Sequence, residues 1–194
     1  MKPGYIRRFS KTERAIHWVN ALGFFFLLVT GLILYLPVLS VAVGRRQFIQ
    51  EIHFWGGVGW VSSLLIVAVL GDRRGLLRTA RELDVFERED VNWLTHRVPR
   101  GQARFNAGQK LNFALVCVLL VAFYVSGVDT IVAGTHHNLI FGGHKLGTIA
   151  ICVLVAGHLY MALVNPTTRA ALSGMLTGKV DREWARRHYP RWKP

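Results

Sequence analysis

The chain has 194 residues and is 52% hydrophobic, with a mean hydropathy of +0.30. It is too apolar for an ordinary soluble domain of this size, yet its formal net charge is +13. Apolar and basic residues must therefore occupy separate segments. The only two cysteines, Cys117 and Cys152, both fall in apolar segments. Their number and spacing exclude a disulfide framework and a CxxC metal site. We expect both residues to act as small packing residues.

Four segments contain no Asp, Glu, Lys or Arg: 15–44, 52–71, 111–128 and 146–168. Their lengths are 30, 20, 18 and 23 residues, and a membrane-spanning helix needs about 20 apolar residues. The sequence therefore predicts an all-α integral membrane protein, a four-helix transmembrane bundle that forms a single domain over 1–194. The predicted spans are about 15–37, 52–71, 110–129 and 141–165, with a loop at 72–109 and a tail at 166–194.

The basic residues are unevenly distributed along the chain. Five precede the first span, nine lie from Arg73 to Lys110, and seven lie from Arg169 onward. By the positive-inside rule, both termini and the loop 72–109 are cytoplasmic. The positive charge is thus explained by the orientation of the chain in the membrane, with basic segments next to the lipid surface. It does not indicate a nucleic-acid partner. A cleavable signal peptide is the alternative for the N-terminus, but the first apolar run is too long for one.

The fourth span carries two histidines, His144 and His158, which are 14 residues apart. Fourteen residues turn a helix by about 1400°, about 40° short of four full turns, and rise about 21 Å. Both imidazoles therefore leave one helix face at two depths. An ionisable side chain inside a span is expensive and marks a functional site by default. The structural alternative is two polar side chains that hydrogen-bond a neighbouring helix.

The predicted topology gives each of these histidines a partner at its own depth. The second and fourth helices both begin on the outer side, so His53 lies at the level of His144. The first helix begins on the inner side, so His17 lies nearest the level of His158. Two histidine pairs are therefore predicted, one near each membrane surface.

Two imidazoles from different helices can bind a metal ion, relay protons or fill both axial positions of haem iron. A bare transition-metal site normally adds carboxylate or thiolate ligands, which the spans lack at these levels, Asp129 being at a helix end. Haem needs only two axial ligands, and nearby glycines leave room for it. The pattern favours two b haems that form a transmembrane electron path, with Arg14 and Lys145 as candidates for neutralising the propionates. A histidine-using metal-ion transporter and a purely structural anchor are the alternatives from other classes.

Outside the spans, four apolar residues recur at helical spacing among charged ones: Leu76, Leu77, Ala80 and Leu83. This pattern predicts an amphipathic helix on the membrane surface, with a solvated charged connector as the alternative. The aromatic and basic tail suits an interfacial foot or a docking surface for a soluble partner. His136 and His137 lie in an outer loop, where adjacent histidines are more often solvated than bound to a metal.

Several motifs together cover essentially the whole chain: Arg14-x-x-His17-Trp18, the isolated His53, Asn106-Ala107-Gly108-Gln109-Lys110, His144-x13-His158, Gly174-Met175 through Gly178-Lys179-Val180, Trp184-Ala185 and His188-Tyr189-Pro190-Arg191-Trp192. In these motifs the chain resembles the cytochrome b556 (gamma) subunits of membrane-bound formate dehydrogenases. These subunits fall within a larger group of b561-like dihaem cytochromes b that also serve hydrogenases and thiosulfate reductases. The histidine pattern is shared across that group, whereas the Asn-Ala-Gly-Gln-Lys stretch and the tail are closer to the formate dehydrogenase branch.

The resemblance implies that His53 and His144 hold an outer haem b, and that His17 and His158 hold an inner one. Electrons would come from an iron–sulfur (beta) subunit fed by a molybdenum- or tungsten-dependent catalytic (alpha) subunit. The chain would be the electron-transferring and quinone-reducing subunit of an oxidoreductase complex in the bacterial plasma membrane, with formate oxidised elsewhere. A cytochrome b of a hydrogenase or thiosulfate reductase and a free-standing cytochrome b561 are the nearest alternatives.

The resemblance also implies a quinone, menaquinone or ubiquinone, reduced near the inner haem by a pocket of Asn106, Gly108, Gln109 and the surroundings of His158. An amide side chain and a backbone exposed by glycine can hydrogen-bond a quinone carbonyl. Asn106 is also a favourable N-cap, so a capped helix start is the structural alternative.

Overall fold

The computed structural model describes residues 4–97, 101–132 and 138–194, with side chains described except at 130–132 and 138–141. The chain is mostly helical. The helices are α1 (Lys11–Tyr35), α2 (Pro37–Val43), α3 (Arg46–Leu70), α4 (Arg73–Asp84), α5 (Arg88–Leu94), α6 (Ala107–Val132), α7 (Asn138–Leu159), α8 (Leu172–Thr177) and α9 (Arg182–His188). The other elements are strands β1 (Tyr5–Arg7) and β2 (Lys179–Asp181), a π-helical turn (Tyr160–Val164) and a 3-10 turn (Arg169–Ala171).

Four helical segments are long and apolar enough to cross a membrane: Lys11–Tyr35, Arg46–Leu70, Ala107–Asp129 and Gly142–Val164. The predicted all-α membrane fold with four spanning helices is thus confirmed, and the protein is multi-pass. The helices α1 and α3 start before the charge-free runs, because interfacial charged residues limit the hydrocarbon span without ending the hydrogen-bonded helix. The single-domain organisation stays a prediction.

Residues Thr12–Arg73 form a compact unit, called here the small unit. Its two long helices approach each other at glycines. A Cβ atom added to Gly23 would overlap the indole of Trp60, and one added to Gly56 would overlap the ring of Phe26. Small residues let membrane helices approach closely, and here they allow one helix face to receive an aromatic ring of the other.

The residues up to Lys11 together with Arg74–Pro194 form the large unit. Its two spanning helices, α6 and α7, also meet at a glycine, since a Cβ atom added to Gly147 would lie 3.0 Å from the ring of Phe123. The helix α4 belongs to this unit and confirms that the amphipathic stretch is helical. It is attached through Arg104, whose Nη1 donates to Thr79 Oγ1 at 2.8 Å.

Outside its spans, the large unit contains a small core that no periodicity in the sequence predicts. Strand β1 pairs antiparallel with β2, which places Ile6 opposite the fully buried Val180. Asp181 caps α9 by accepting a hydrogen bond from the backbone nitrogen of Trp184 at 2.7 Å. The extramembrane core, as it is called below, consists of Ile6, Val180, Trp184, Ala185 and Tyr189.

A buried arginine pair joins this core to the chain just before α6. Arg8 Nη2 donates to the carbonyl of Arg104 at 2.9 Å, and Arg104 Nη2 donates to the carbonyl of Arg8 at 2.6 Å. The Arg8 guanidinium lies 4.2 Å from the ring centroid of Tyr189, a cation–π contact. Burial lowers the pKa of Arg8 and Tyr189 opposes this effect. The side chain stays charged, because the ordinary pKa of arginine is far above neutral pH.

A buried ion pair links α5 to the first turn of α6. Lys110 Nζ lies 2.6 Å from Asp90 Oδ2, and the two side chains are only 5% and 4% exposed. Lys110 also donates to the carbonyl of Val85 at 2.8 Å. An exposed ion pair lies nearby, where Arg191 Nη1 is 2.7 Å from Glu87 Oε2, and this hydrogen bond raises the pKa of Arg191.

Candidate haem-ligand and quinone sites

The four candidate haem ligands lie on three of the spanning helices. His17 is on α1 and His53 on α3, both in the small unit. His144 and His158 are both on α7, in the large unit. Because α7 is α-helical from Asn138 to Leu159, the two imidazoles are about 21 Å apart along its axis. Each predicted pair takes one histidine from each unit, and the pairing itself stays a prediction.

The imidazole of His53 is held by a hydroxyl group of α1. Its Nδ1 lies 2.8 Å from Oγ1 of Thr30, which is buried. The same hydroxyl lies 3.0 Å from the carbonyl oxygen of Phe26 and 3.2 Å from that of Leu27. A carbonyl oxygen only accepts hydrogen bonds, so the single hydroxyl proton is directed to the helix backbone.

The imidazole of His144 has the same arrangement in the other unit. Its Nδ1 lies 2.8 Å from Oγ of Ser126, a buried residue of α6. That hydroxyl lies 2.7 Å from the carbonyl oxygen of Ala122 and 3.1 Å from that of Phe123. The ring of Phe123 also meets the imidazole edge-on, with centroids 5.1 Å apart.

These contacts assign the histidine tautomers. A hydroxyl that donates its proton to the backbone carbonyl offers lone pairs to the imidazole, and this pattern matches the tautomer of His53 and His144 in which Nδ1 carries the proton. The lone pair is then on Nε2, the nitrogen that can coordinate a metal. Neutral imidazoles with an oriented Nδ1–H are the donor type that haem iron takes as axial ligands, so both residues fit the group.

Sequence reasoning missed Thr30 and Ser126. Hydroxyl side chains in apolar helices commonly bond their own backbone, so neither residue is conspicuous in the sequence. The available signal is positional: each stands near the outer end of a predicted span, and the next span has a histidine among its first four residues. Two such coincidences in one chain would have indicated hydroxyl–imidazole pairs.

The other two histidines have different surroundings. The ring of His17 is half-buried and meets Trp18 edge-on, with centroids 5.3 Å apart. His158 is exposed and lies one residue before the end of α7, where the π-helical turn Tyr160–Val164 follows. Such turns are rare in proteins, and those that occur are often found at functional sites. This one lies directly beside a candidate ligand.

The structure brings Asn106 and Gln109, two of the candidate quinone ligands, together at the start of α6. Asn106 Oδ1 accepts a hydrogen bond from the backbone nitrogen of Gln109 at 2.9 Å. Gln109 Oε1 accepts one from the backbone nitrogen of Asn106 at 3.0 Å. This reciprocal pair is a capping box, so both side-chain oxygens stabilise the helix start. The amide NH₂ groups are the donors that a quinone carbonyl can use.

Gly108, the third candidate, lies between these residues and an indole. A Cβ atom added there would be 3.3 Å from Cη2 of Trp93 and 3.4 Å from Oδ1 of Asn106. A side chain at this position would therefore press on the indole and the Asn106 oxygen and require a small shift of them. The absence of a side chain preserves both the capping box and the approach of the indole.

The sequence also singles out four other residues, two histidines and two cations. His136 and His137 lie outside the described residues. Arg14 is half-buried on α1 and Lys145 is exposed on α7 beside His144. Within the described part of the chain, no three His, Cys, Asp or Glu side chains are grouped so that they could hold a metal ion.

Comparison with known proteins gives a consistent result. The family described as prokaryotic cytochrome b561 matches residues 8–178. The cytochrome b556(fdo) subunit of formate dehydrogenase from Escherichia coli (strain K12) is 27% identical over 200 residues, covering 96% of this chain and 91% of that subunit. The nitrate-inducible cytochrome b556(Fdn) subunit from the same strain is 24% identical over 212 residues, covering 98% and 91%. The cytochrome b556 subunit of Haemophilus influenzae formate dehydrogenase is 22% identical over 206 residues, covering 96% and 82%.

The family match extends from the buried Arg8 through all four spans to Gly178, and it therefore includes every candidate haem ligand described above. Proteins of this family are membrane helical bundles that bind haem. The four spanning helices and the two hydrogen-bonded imidazoles agree with that description, and the chain belongs to the prokaryotic cytochrome b561 family as a membrane cytochrome b.

Proposed function

We propose that this chain is the dihaem cytochrome b subunit of a membrane-bound formate dehydrogenase and that it delivers electrons to a quinone. The observation that carries the haem assignment is the pair of hydroxyl–imidazole contacts, Thr30 with His53 and Ser126 with His144, each 2.8 Å long. They leave Nε2 as the ligand atom on two different helices. The partner assignment is supported by the relatives, which are named as formate dehydrogenase subunits. The alignments with this chain cover 91% of the length of each E. coli relative.

In this proposal the four imidazoles hold two b haems, His53 with His144 near the outer surface and His17 with His158 near the inner one. A haem b held by two of these imidazoles would supply one-electron transfer. The chain positions the two groups at different depths through α7, whose two histidines are about 21 Å apart along the helix axis. The basic segments favour cytoplasmic termini in a bacterial plasma membrane.

The electrons would come from an iron–sulfur beta subunit and a molybdenum- or tungsten-dependent alpha subunit. This chain has two cysteines, both in or beside apolar helices, and cannot bind an iron–sulfur cluster through four thiolates. A cytochrome b serving a hydrogenase or thiosulfate reductase would use the same four imidazoles. The protein that co-purifies with the chain separates these possibilities.

The quinone would bind beside the start of α6. The capping box occupies the side-chain oxygens of Asn106 and Gln109, and the amide NH₂ groups remain the hydrogen-bond donors for a quinone carbonyl. The proposal therefore assigns Asn106 two separable roles, one through oxygen and one through nitrogen.

The haem assignment is tested by reduced-minus-oxidised spectra and haem-to-protein ratios of purified single variants. Wild type should contain two low-spin b haems. His53→Ala and His144→Ala should lose the same spectral component, and His17→Ala and His158→Ala should lose the other. The control is His96→Asn, because His96 is exposed with a backbone φ of 57°, which asparagine tolerates, and it should keep both haems. A colourless wild type expressed with ample haem would overturn the assignment.

The quinone site is tested with Asn106→Asp. Aspartate is as good an N-cap as asparagine but has no amide donor, so this variant should keep both haems and its helix start. We expect slower oxidation of the reduced haems by a water-soluble quinone in stopped-flow mixing. Asn106→Asp oxidised at the wild-type rate would show that this side chain only caps the helix.

A further inference from the structure

We infer that Thr30 and Ser126 are positioning residues, which fix the tautomer and orientation of His53 and His144 and thereby lower the reduction potential of the haem they hold. This inference rests on the proposed function, because it concerns the ligands of the outer haem. It goes further by assigning a role to two residues that are not among the candidate haem or quinone ligands. The hydroxyl–imidazole hydrogen bonds carry the argument.

The hydrogen bonds of Thr30 and Ser126 lie in a buried environment. Thr30 and Ser126 are each 7% exposed, whereas nearly all other residues in the apolar parts of their helices are half-buried or exposed. A hydrogen bond in such a low-dielectric position is stronger than one in water, and losing one partner costs more. The imidazole ring cannot turn about its χ2 angle without breaking this bond. The contact therefore fixes the ring as well as its proton.

The arrangement of imidazole, hydroxyl and backbone carbonyl occurs twice. In the small unit the hydroxyl is on α1 and the imidazole near the start of α3; in the large unit they are on α6 and near the start of α7. Both hydroxyls also bond a carbonyl four residues earlier in their own helix. Two unrelated stretches of sequence have thus produced the same donor–acceptor chain, from imidazole to hydroxyl to helix backbone.

Other hydroxyls of the spans show what a purely helical role looks like. Ser63 Oγ donates to the carbonyl of Gly59 at 2.7 Å on α3, and Thr148 Oγ1 donates to the carbonyl of His144 at 2.9 Å on α7. Both bonds go to the backbone four residues earlier, and neither hydroxyl bonds an imidazole nitrogen among the described residues. Ser63 and Thr148 are therefore matched controls, since each lies on the same helix as one of the two imidazoles.

The hydrogen bond would be connected to the iron through the ligating imidazole. Donation from Nδ1–H to an oxygen raises the basicity of the ligating imidazole. A more basic ligand stabilises the oxidised, more positive iron and so lowers its reduction potential. Removing the hydroxyl should therefore raise the midpoint potential of the haem. It should also weaken haem binding, by about 10- to 100-fold for hydrogen-bond partners of this kind.

The experiment uses the full chain in lipid nanodiscs with both haems bound. Thr30→Val removes the hydroxyl while keeping the shape of the side chain, Thr30→Ser restores it, and Ser126→Ala removes the second one. Midpoint potentials come from redox titration of the visible spectrum. Haem loss is measured by transfer to apomyoglobin, and the ferric ligand field by electron paramagnetic resonance.

We expect Thr30→Val and Ser126→Ala each to raise the potential and speed the loss of the same haem, with an altered ferric spectrum. Thr30→Ser, Ser63→Ala and Thr148→Val should match wild type. Wild-type potentials, spectra and haem retention in both Thr30→Val and Ser126→Ala, in a protein that still holds two haems, would overturn this inference alone. A wild type without haem would overturn the proposed function together with it. Effects on two different haems would support the positioning role of each hydroxyl while contradicting the pairing of His53 with His144.

Discussion

The spanning helices and the extramembrane core are stabilised in different ways. In the most apolar part of each span at most 6% of the residues are buried inside the protein, so much of the apolar surface of the spans is left for the hydrocarbon that a membrane provides. The extramembrane core instead buries its side chains against one another, in contacts between residues as far apart as Ile6 and Val180. Contacts between side chains should therefore contribute most of the stability of the core. In the spans, only the few positions where two helices pack closely should contribute in this way.

The largest expected effect is on the buried ion pair beside the core. Asp90→Ala leaves the charge of Lys110 buried without its counter-ion, and we expect the core to lose about 3–5 kcal/mol. Hydrogen exchange of the Val180 and Trp184 amides in nanodiscs measures this loss as local opening. The exposed Asp84 provides the control, since Asp84→Ala should change little.

A double variant separates the charge from the packing. Replacing both partners by apolar residues of similar volume, Asp90→Leu with Lys110→Met, removes the uncompensated charge. This variant should recover most of the stability lost in Asp90→Ala. If the double variant were as unstable as the single one, specific hydrogen bonds and not charge burial would explain the effect.

In the spans, the largest effect is expected at the contact between α1 and α3. Gly23→Ala places a Cβ atom against the indole of Trp60, and such overpacking typically costs about 1–3 kcal/mol. Gly59→Ala is the control on α3, since no atom lies within 4 Å of its added Cβ and alanine favours the helix. Thermal unfolding followed by tryptophan fluorescence should show a lower Tm for the first and an unchanged or higher Tm for the second. Equal values would mean that Trp60 moves without cost.

The same contrast explains what could be predicted from the sequence. Hydropathy and length suffice for the spans, because lipid-exposed backbone must be helical, and the 14-residue spacing is enough to place His144 and His158 on one helix. The strand pair β1–β2 could not be predicted, because each strand has three residues and its partner lies more than 170 positions away. The ion pair of Asp90 with Lys110 depends in the same way on tertiary contacts.

The candidate site was predictable to a similar extent. The imidazoles are conspicuous, because an ionisable group in an apolar helix is rare. Thr30 and Ser126 are not, because the same residue types occur in spans as ordinary helix-bonded hydroxyls such as Ser63. Only the distance to an imidazole nitrogen distinguishes the two cases, and this distance is a property of packing between helices.

A smaller effect is expected at the N-terminus of α9, on the edge of the core. Asp181 accepts a hydrogen bond from the backbone nitrogen of Trp184, and replacing such a cap by alanine costs about 1 kcal/mol. Asp181→Ala should therefore speed hydrogen exchange in α9. Asp181→Asn keeps the cap oxygen and should exchange at the wild-type rate. Fast exchange in both variants would point to the charge of Asp181 as the stabilising feature.

The smallest effect is expected where the core region meets water. Arg191 Nη1 lies 2.7 Å from Glu87 and 3.2 Å from Glu89, but its side chain is 43% exposed. Exposed ion pairs contribute only about 0–1 kcal/mol and are screened by salt. Arg191→Gln should thus slightly accelerate hydrogen exchange in α5 at low ionic strength, and the difference from wild type should disappear in 1 M salt. A difference that persists at high salt would mean that the guanidinium stabilises the protein through packing, as Arg8 does in the interior. Buried and exposed cations of this region would then act in the same way.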